Sequence, residues 1–206
     1  MPRKQKKRTT KKTVLIATNG QVTERTYLNE VKKRAHLLGD VSVTVTYTNG
    51  DPEGMLRKLK STRDARNNAS AYDEVWLVFD EDGRDCSSLF FACEKLTTKR
   101  QRWSAAVSRP CFEVWLIAHY EQVHNYSDQT DAQKRFRQLT PGTPDKHLPN
   151  DFPYDRLEDA VKRCTLHCEA QGPREELPPI PGSGMPHLLD ALGLIKLSGC
   201  KDMSSQ

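Results

Sequence analysis

The stretch VWLVFDEDGRD, residues 75–85, decides the fold class. Its apolar residues run unbroken from Val75 to Phe79, a pattern typical of a central parallel strand covered by helices on both faces. Asp80, Glu81 and Asp82 follow directly, and Gly83 ends the run. Because neighbouring carboxylates repel each other, this arrangement raises the question of what neutralises them.

Alternating strand and helix patterns surround this stretch. TVLIAT (13–18) and WSAAVS (103–108) are short β-rich runs, and DVSVTVTY (40–47) alternates with period two. Apolar spacing predicts helices over residues 24–38, with Thr23 as N-cap, over 54–68 and over 86–100, and Pro110 opens a further helix. The order predicts an α/β fold with a mostly parallel sheet flanked by helices.

The character of the chain changes after residue 122. Nine of the 12 prolines lie at or after Pro141, and they separate helical patterns at 128–139, 154–170 and 186–192. We therefore predict three parts: a disordered basic arm over 1–12, an α/β core over 13–122, and a helical, proline-rich C-terminal annex over 123–206.

Charge is unevenly distributed along the chain. The net charge is +5, but residues 1–12 contain seven lysines and arginines and no acid, so the remainder carries about −2. Basic arms attract polyanions, which makes four residues candidate nucleic-acid contacts: Lys4, Lys6, Lys7 and Arg8. A purely solubilising arm is the alternative.

The composition also bears on location. No apolar run approaches the roughly 20 residues that span a bilayer, and the N-terminus lacks the apolar core of a secretory signal. We expect a cytoplasmic protein without membrane contact, with its six cysteines reduced and its oligomeric state open.

Acidic residues follow three predicted strands. Because the carboxyl ends of parallel strands meet at one edge, Glu24, Asp80, Asp82 and Glu113 are predicted to lie together there. Carboxylate oxygens bind Mg²⁺, and paired divalent ions support phosphodiester cleavage. The alternative is that residues 80–85 form a solvated loop.

Several other residues leave their roles open. Arg84 and Arg109 flank the acids and fit either phosphate contacts or structural ion pairs. His119 fits either proton transfer or an ordinary core position. Cys111 has no histidine paired with it by spacing and is not interpreted as a nucleophile.

Three segments, VLIATNGQVTERTYL, YDEVWLVFDEDG and AVSRPCFEVWLIAHY, follow one another over roughly residues 13–120. Their order and approximate spacing resemble those of the RloB-like family, whose members are built on a Toprim domain. GSGMPHLLDAL (182–192) is similar to a family segment near the C-terminus.

The resemblance implies specific roles. Asp80 and Asp82 occupy the Toprim DxD, Glu24 the second glutamate of the family's EGxxTE segment, and Glu113 the position of an acid that helps bind a second metal. These four would be ligands of Mg²⁺ or Mn²⁺. The segment's first glutamate, a metal ligand or general acid/base, is Asn19 here, which has no charge and no exchangeable proton at neutral pH.

The resemblance also implies a functional setting. Family members are associated with bacterial anti-phage and restriction-linked loci, and some are encoded beside an ATPase partner. A metal-dependent nuclease acting on DNA or RNA, or a nuclease-derived effector subunit, is therefore expected. The alternative is a catalytically impaired Toprim subunit that binds or regulates an ATPase, and the sequence does not decide between them.

Overall fold

A five-stranded sheet organises the computed structural model, which describes residues 11–64, 66–81, 83, 85–166 and 174–197. The strand order is β2-β1-β3-β4-β5. The strands are β1 (Lys12–Thr18), β2 (Val41–Tyr47), β3 (Glu74–Asp80), β4 (Arg102–Arg109) and β5 (Gly182–Ser183). The first four pair in parallel and β5 is antiparallel to β4, so the predicted α/β class is confirmed.

Helices cover both faces of the sheet. They are α1 (Thr23–Leu38), α2 (Pro52–Ser61), α3 (Ser87–Leu96), α4 (Glu113–Ala118), α5 (Gln129–Leu139), α6 (Leu157–Arg163) and α7 (Met185–Ala191), with a 3-10 turn at Ala69–Ala71. Buried residues of α2 and α3 pack on one face of the sheet, and those of α1 and α4–α7 on the other. None of the helices that the structure describes is long and apolar enough to cross a membrane.

The central strand is β3, as its unbroken apolar run predicts. Val75 to Phe79 are all buried, with alternate residues in the two hydrophobic clusters. Burying an apolar side chain of this size contributes about 1.5–3 kcal/mol relative to exposure. This strand therefore fixes where the acid at its end, Asp80, is placed.

The C-terminal part of the chain returns to the sheet, which the sequence did not predict. Ser183 in β5 lies 2.9 Å from Ser108, hydroxyl to hydroxyl. A Cβ at Gly184 would lie 3.0 Å from the Cα of Ala106, so this close approach favours glycine. Leu188 and Leu189 then join the cluster that covers the α1 face.

The first two elements begin one residue earlier than predicted. β1 begins at Lys12, which the sequence assigned to the basic arm. α1 begins at Thr23 itself, its N-cap position is Val22, and no side chain caps it. The predicted N-cap role of Thr23 was wrong because its hydroxyl donates instead to the carbonyl oxygen of Lys146, at 2.7 Å.

The second helix is shorter than its sequence pattern predicts. α2 ends at Ser61 rather than near 68. Asp64 accepts bonds from the Arg66 amide and the Asn67 side chain, and such local bonds compete with helix.

Two later helices also differ from their predicted bounds. α4 begins at Glu113, three residues after Pro110. α6 covers Leu157–Arg163 of the predicted 154–170, whose last four residues lie outside the described ones.

A buried ion-pair cluster lies at the amino edge of the sheet. Glu74, which begins β3, is 2% exposed and pairs with Lys12 and Arg174. The Arg174 guanidinium also lies 4.2 Å from the Trp76 ring centroid, and its Nε donates to Ser104. The cluster joins the start of β1 and the C-terminal part of the chain to the central strand.

One outer strand is β2, whose partner in the sheet is β1. The side chain of His36, in α1, reaches it, and its Nε2 accepts the backbone N–H of Val43 at 2.9 Å. One backbone donor of this outer strand is thereby satisfied within the chain.

Candidate functional site at the carboxyl edge

The centre of the sheet contains a topological switch point. β1 continues through α1 to β2 on one side, whereas the neighbouring β3 continues through α3 to β4 on the other. Since α1 and α3 cover opposite faces, the carboxyl ends of β1 and β3 leave a crevice between them, which is where open α/β sheets bind ligands. Asn19 follows β1 at this point, and Asp80 ends β3.

A cavity of about 420 Å³ occupies this crevice. Asn19 and Glu24 line it from the loop and helix after β1, Asp80 from the end of β3, and Glu113 from the start of α4. Three segments far apart in the sequence thus bring four of the predicted site residues to one pocket.

The side chain of Glu24 folds back over the turn that follows β1. A Cβ at position 20 would lie 1.9 Å from Glu24 Cδ, so Gly20 leaves the space that this carboxyl group occupies. Burial raises the pKa of Glu24 and the charge of Glu113 raises it further, while the backbone amide of Glu24 and the Lys146 ammonium oppose the rise. The charged form of Glu24 is therefore incompletely compensated.

The carboxylates of Asp80 and Glu113 both affect the pKa of the buried Cys111 thiol. Burial raises the pKa of this thiol, and the two carboxylates raise it further. Because the thiolate is the nucleophilic form, Cys111 is not suited to nucleophilic chemistry, which agrees with the sequence interpretation. The same interaction places both carboxylates in the neighbourhood of one thiol.

The donor chemistry of the pocket fits a hard divalent cation. Its acids supply carboxylate oxygens and Asn19 an amide oxygen, and Mg²⁺ prefers oxygen ligands while keeping several waters. Among the residues that the structure describes, no three histidine, cysteine or acidic side chains form a group able to hold a metal as they stand. Asp82, the second acid of the DxD, lies outside those residues.

Arg109 lies in a structural ion pair. Its guanidinium donates to Glu81 at 2.9 and 2.6 Å and to the Pro178 carbonyl oxygen at 2.7 Å, and Arg109 does not line the pocket. Of the two roles left open for Arg109, the structure therefore indicates the ion pair with Glu81. Other predicted site residues fall outside the described part of the chain: Lys4, Lys6, Lys7, Arg8 and Arg84.

His119 is a core residue away from the pocket. It is fully buried, with Nδ1 3.0 Å from the Trp115 carbonyl oxygen and Nε2 3.2 Å from the Tyr27 hydroxyl. The carbonyl requires a proton on Nδ1, so Nε2 accepts from Tyr27. Burial lowers the pKa of His119 to about 4, which keeps it neutral.

The sequence interpretation missed the basic residues of the pocket. Arg137, from α5, and Lys146 and His147, from the turn that follows, line the same pocket. The sequence assigned them to the helical annex and its proline-rich loops. The adjacent basic residues Lys146 and His147 were the available signal, but nothing in their spacing relates them to the acids.

The fold and pocket define an α/β protein with an acidic site at the switch point of a parallel sheet. The chain matches the model of the family described as RloB-like protein over residues 14–192. It therefore belongs to the RloB-like family, as its motifs predicted, and the match includes Asn19, Glu24, Asp80 and Glu113. No curated protein and no solved structure shows significant similarity to it.

Proposed function

We propose that this protein is a Mg²⁺- or Mn²⁺-dependent nuclease, or a nuclease-derived effector subunit, of a bacterial anti-phage defence system. The observation that carries the proposal is the convergence of Glu24, Asp80 and Glu113 on one pocket at the switch point. Family membership supports the defence setting, through the loci with which such proteins are associated.

Each acid has a distinct place in the proposed site. Asp80, at the end of β3, and Glu113, at the start of α4, would hold the ion together with Asp82, and Glu24, whose carboxyl group lies over Gly20 in the same pocket, would be a further ligand. A bound divalent ion supplies an activated water and stabilises charge on the phosphate oxygens. The raised pKa of Glu24 supports this assignment, because a cation relieves the repulsion that contributes to it.

Asn19 favours a second candidate, a binding or regulatory subunit that partners an ATPase. Its side chain offers an amide oxygen to a cation but exchanges no proton at neutral pH. An impaired site that retains its acids would still bind an ion or nucleic acid. The two candidates therefore differ in turnover, not in metal binding.

Cleavage assays with matched variants test the proposal. The purified protein is incubated with single- and double-stranded DNA and RNA in Mg²⁺ or Mn²⁺. We expect Asp80→Ala and Glu113→Ala to slow cleavage by more than roughly 100-fold, the upper range for outer-shell partners of a metal. Glu53→Ala, at an exposed glutamate in the first turn of α2, is the control. Cleavage that survives both pocket substitutions would identify a contaminant and end the assignment.

Metal binding and the cleavage activity of Asn19→Glu together separate the two candidates. Calorimetry with Mn²⁺ should detect binding to the natural sequence and weaker binding to Asp80→Ala. Asn19→Glu restores the missing charge, so a large gain in cleavage would indicate an impaired nuclease. Metal binding without cleavage in either form favours the regulatory subunit, and no metal binding in any form contradicts both.

A further inference from the structure

Basic as well as acidic residues line the pocket. The basic ones, Arg137 in α5 and Lys146 and His147 in the following turn, are here called the basic wall, and Glu24, Asp80 and Glu113 the acidic wall. A phosphodiester approaching only carboxylates would be repelled, since clustered like charge creates an unfavourable field for an anion. Cationic side chains in the same cavity offset this repulsion, beside any bound divalent ion, and the basic wall supplies them.

The backbone holds Lys146 in an unusual conformation. Its φ is 62°, and among the described residues other than glycine it alone has a positive φ. L-residues adopt this left-handed conformation only at a cost, and such outliers concentrate at functional sites. The hydrogen bond from the Thr23 hydroxyl to the Lys146 carbonyl oxygen, at 2.7 Å, ties this residue to the first turn of α1, beside Glu24 of the acidic wall.

Lys146 and Arg137 both line the pocket that contains Glu24. The guanidinium of Arg137 lies 3.9 Å from Asp145, with 56% of its side chain exposed. A contact of this length leaves guanidinium donors for a ligand.

We propose that Lys146 and Arg137 bind the phosphate backbone of a polynucleotide and position it against the acidic wall. The inference rests on the proposed function, since it names the substrate class of the same pocket. Lysine and arginine contacts to phosphate fix the register of a nucleic acid without reading its sequence. Both are therefore positioning residues, and binding should depend on their charge more than on the base sequence.

Equilibrium binding without metal tests this inference separately from cleavage. Anisotropy of a fluorescein-labelled single-stranded oligonucleotide is measured in EDTA over a salt series. We expect Lys146→Asn and Arg137→Gln each to weaken binding about 3- to 10-fold at low salt, and to lower the slope of log K against log salt by about 0.7 per lost contact. Lys134→Gln is the matched control, because Lys134 is an exposed cation of α5 that does not line the pocket.

Further variants at position 146 separate charge from folding. Asparagine and glycine both tolerate a left-handed backbone, so Lys146→Asn and Lys146→Gly should unfold at a temperature no lower than the natural sequence. Lys146→Arg keeps the charge and should retain binding. Weakened binding in the first two, with unchanged unfolding, therefore reports the lost ammonium group.

Each remaining outcome decides one of the two proposals. Unchanged affinity and salt slope in Lys146→Asn and Arg137→Gln would overturn the inference, as would an absence of oligonucleotide binding by the natural sequence. Displacement of the oligonucleotide by ATP at equal phosphate concentration would indicate a mononucleotide site and also overturn it. Charge-dependent binding without cleavage would leave the inference standing while the nuclease proposal fails.

Discussion

The acids at the two edges of the sheet have pKa values shifted in opposite directions. At the amino edge, burial alone would raise the pKa of Glu74, but Arg174 and Lys12 hold it below its usual value. At the carboxyl edge, burial and Glu113 raise the pKa of Glu24 despite the opposing effect of Lys146. A compensated acid supports the fold, whereas an incompletely compensated one is maintained at a cost to stability, which is typical of functional sites.

Breaking the amino-edge cluster should have the largest effect on stability. Arg174→Leu leaves the buried Glu74 with Lys12 and the indole N–H of Trp76, and removing one partner of a buried ion pair costs about 3–5 kcal/mol. The free energy of unfolding from urea titration measures this loss. Arg102→Leu, at an exposed pair with Glu175, should cost less than about 1 kcal/mol.

A double variant tests whether the lost stability comes from leaving a buried charge without its partner. Replacing both Glu74 and Arg174 by leucine removes the buried charges together, so part of the stability lost in Arg174→Leu should return. If Arg174→Leu is as mild as Arg102→Leu, the amino-edge cluster does not support the fold.

Acid should destabilise the fold through His119, which is buried and neutral and lies at neither edge of the sheet. Its pKa is lowered from 6.5 to about 4 by burial, so the unfolded chain takes up a proton before the folded one does. The free energy of unfolding should therefore fall as pH drops from about 6.5 to 4, by about 3 kcal/mol in total. Urea titrations at several pH values measure this.

The variant His119→Gln is the control for that pH dependence. This variant should be less stable at pH 7.5, because it disturbs the contacts with Tyr27 and Trp115. Its free energy of unfolding should, however, no longer show the fall between about pH 6.5 and 4 that comes from His119. The loss linked to Glu74 is separate, because a carboxyl with a lowered pKa loses its contribution only as pH falls below its ordinary value of 4.5. An unchanged slope between pH 6.5 and 4 in His119→Gln would contradict the assignment.

The smallest effect should appear at the carboxyl edge, with the opposite sign. Glu24→Gln, measured in EDTA at pH 7, removes a charge that burial disfavours and should raise the free energy of unfolding by about 0.5–1 kcal/mol. Glu53→Gln, at an exposed glutamate, should change it by less than about 0.5 kcal/mol. A clear destabilisation by Glu24→Gln would show that both edges use their acids in the same way.

The sequence predicted the sheet because its signal is local. The apolar run of Val75–Phe79 and the alternation in DVSVTVTY reflect burial of one or both faces of a strand. β5 carries no such signal, since two residues are too few to alternate. Its place depends on the close approach of Gly184 to Ala106, which only the folded chain reveals.

The acidic wall of the site was predictable, whereas the basic wall was not. Glu24, Asp80 and Glu113 each follow a strand, so a rule about parallel sheets brings them to one edge. Lys146 reaches the pocket through a turn tied to Thr23, a contact across 123 positions that no spacing encodes. The same contact explains why Thr23 does not cap its helix.

The hydrogen bond from β2 to His36 has a consequence for association between molecules. The outermost strand of a sheet is a template on which another chain can add a strand, a route to aggregation. By accepting the Val43 amide, His36 occupies one of the donors that such an intruding strand would need. A side chain of the helix that follows β1 thus removes one pairing position from the outer strand.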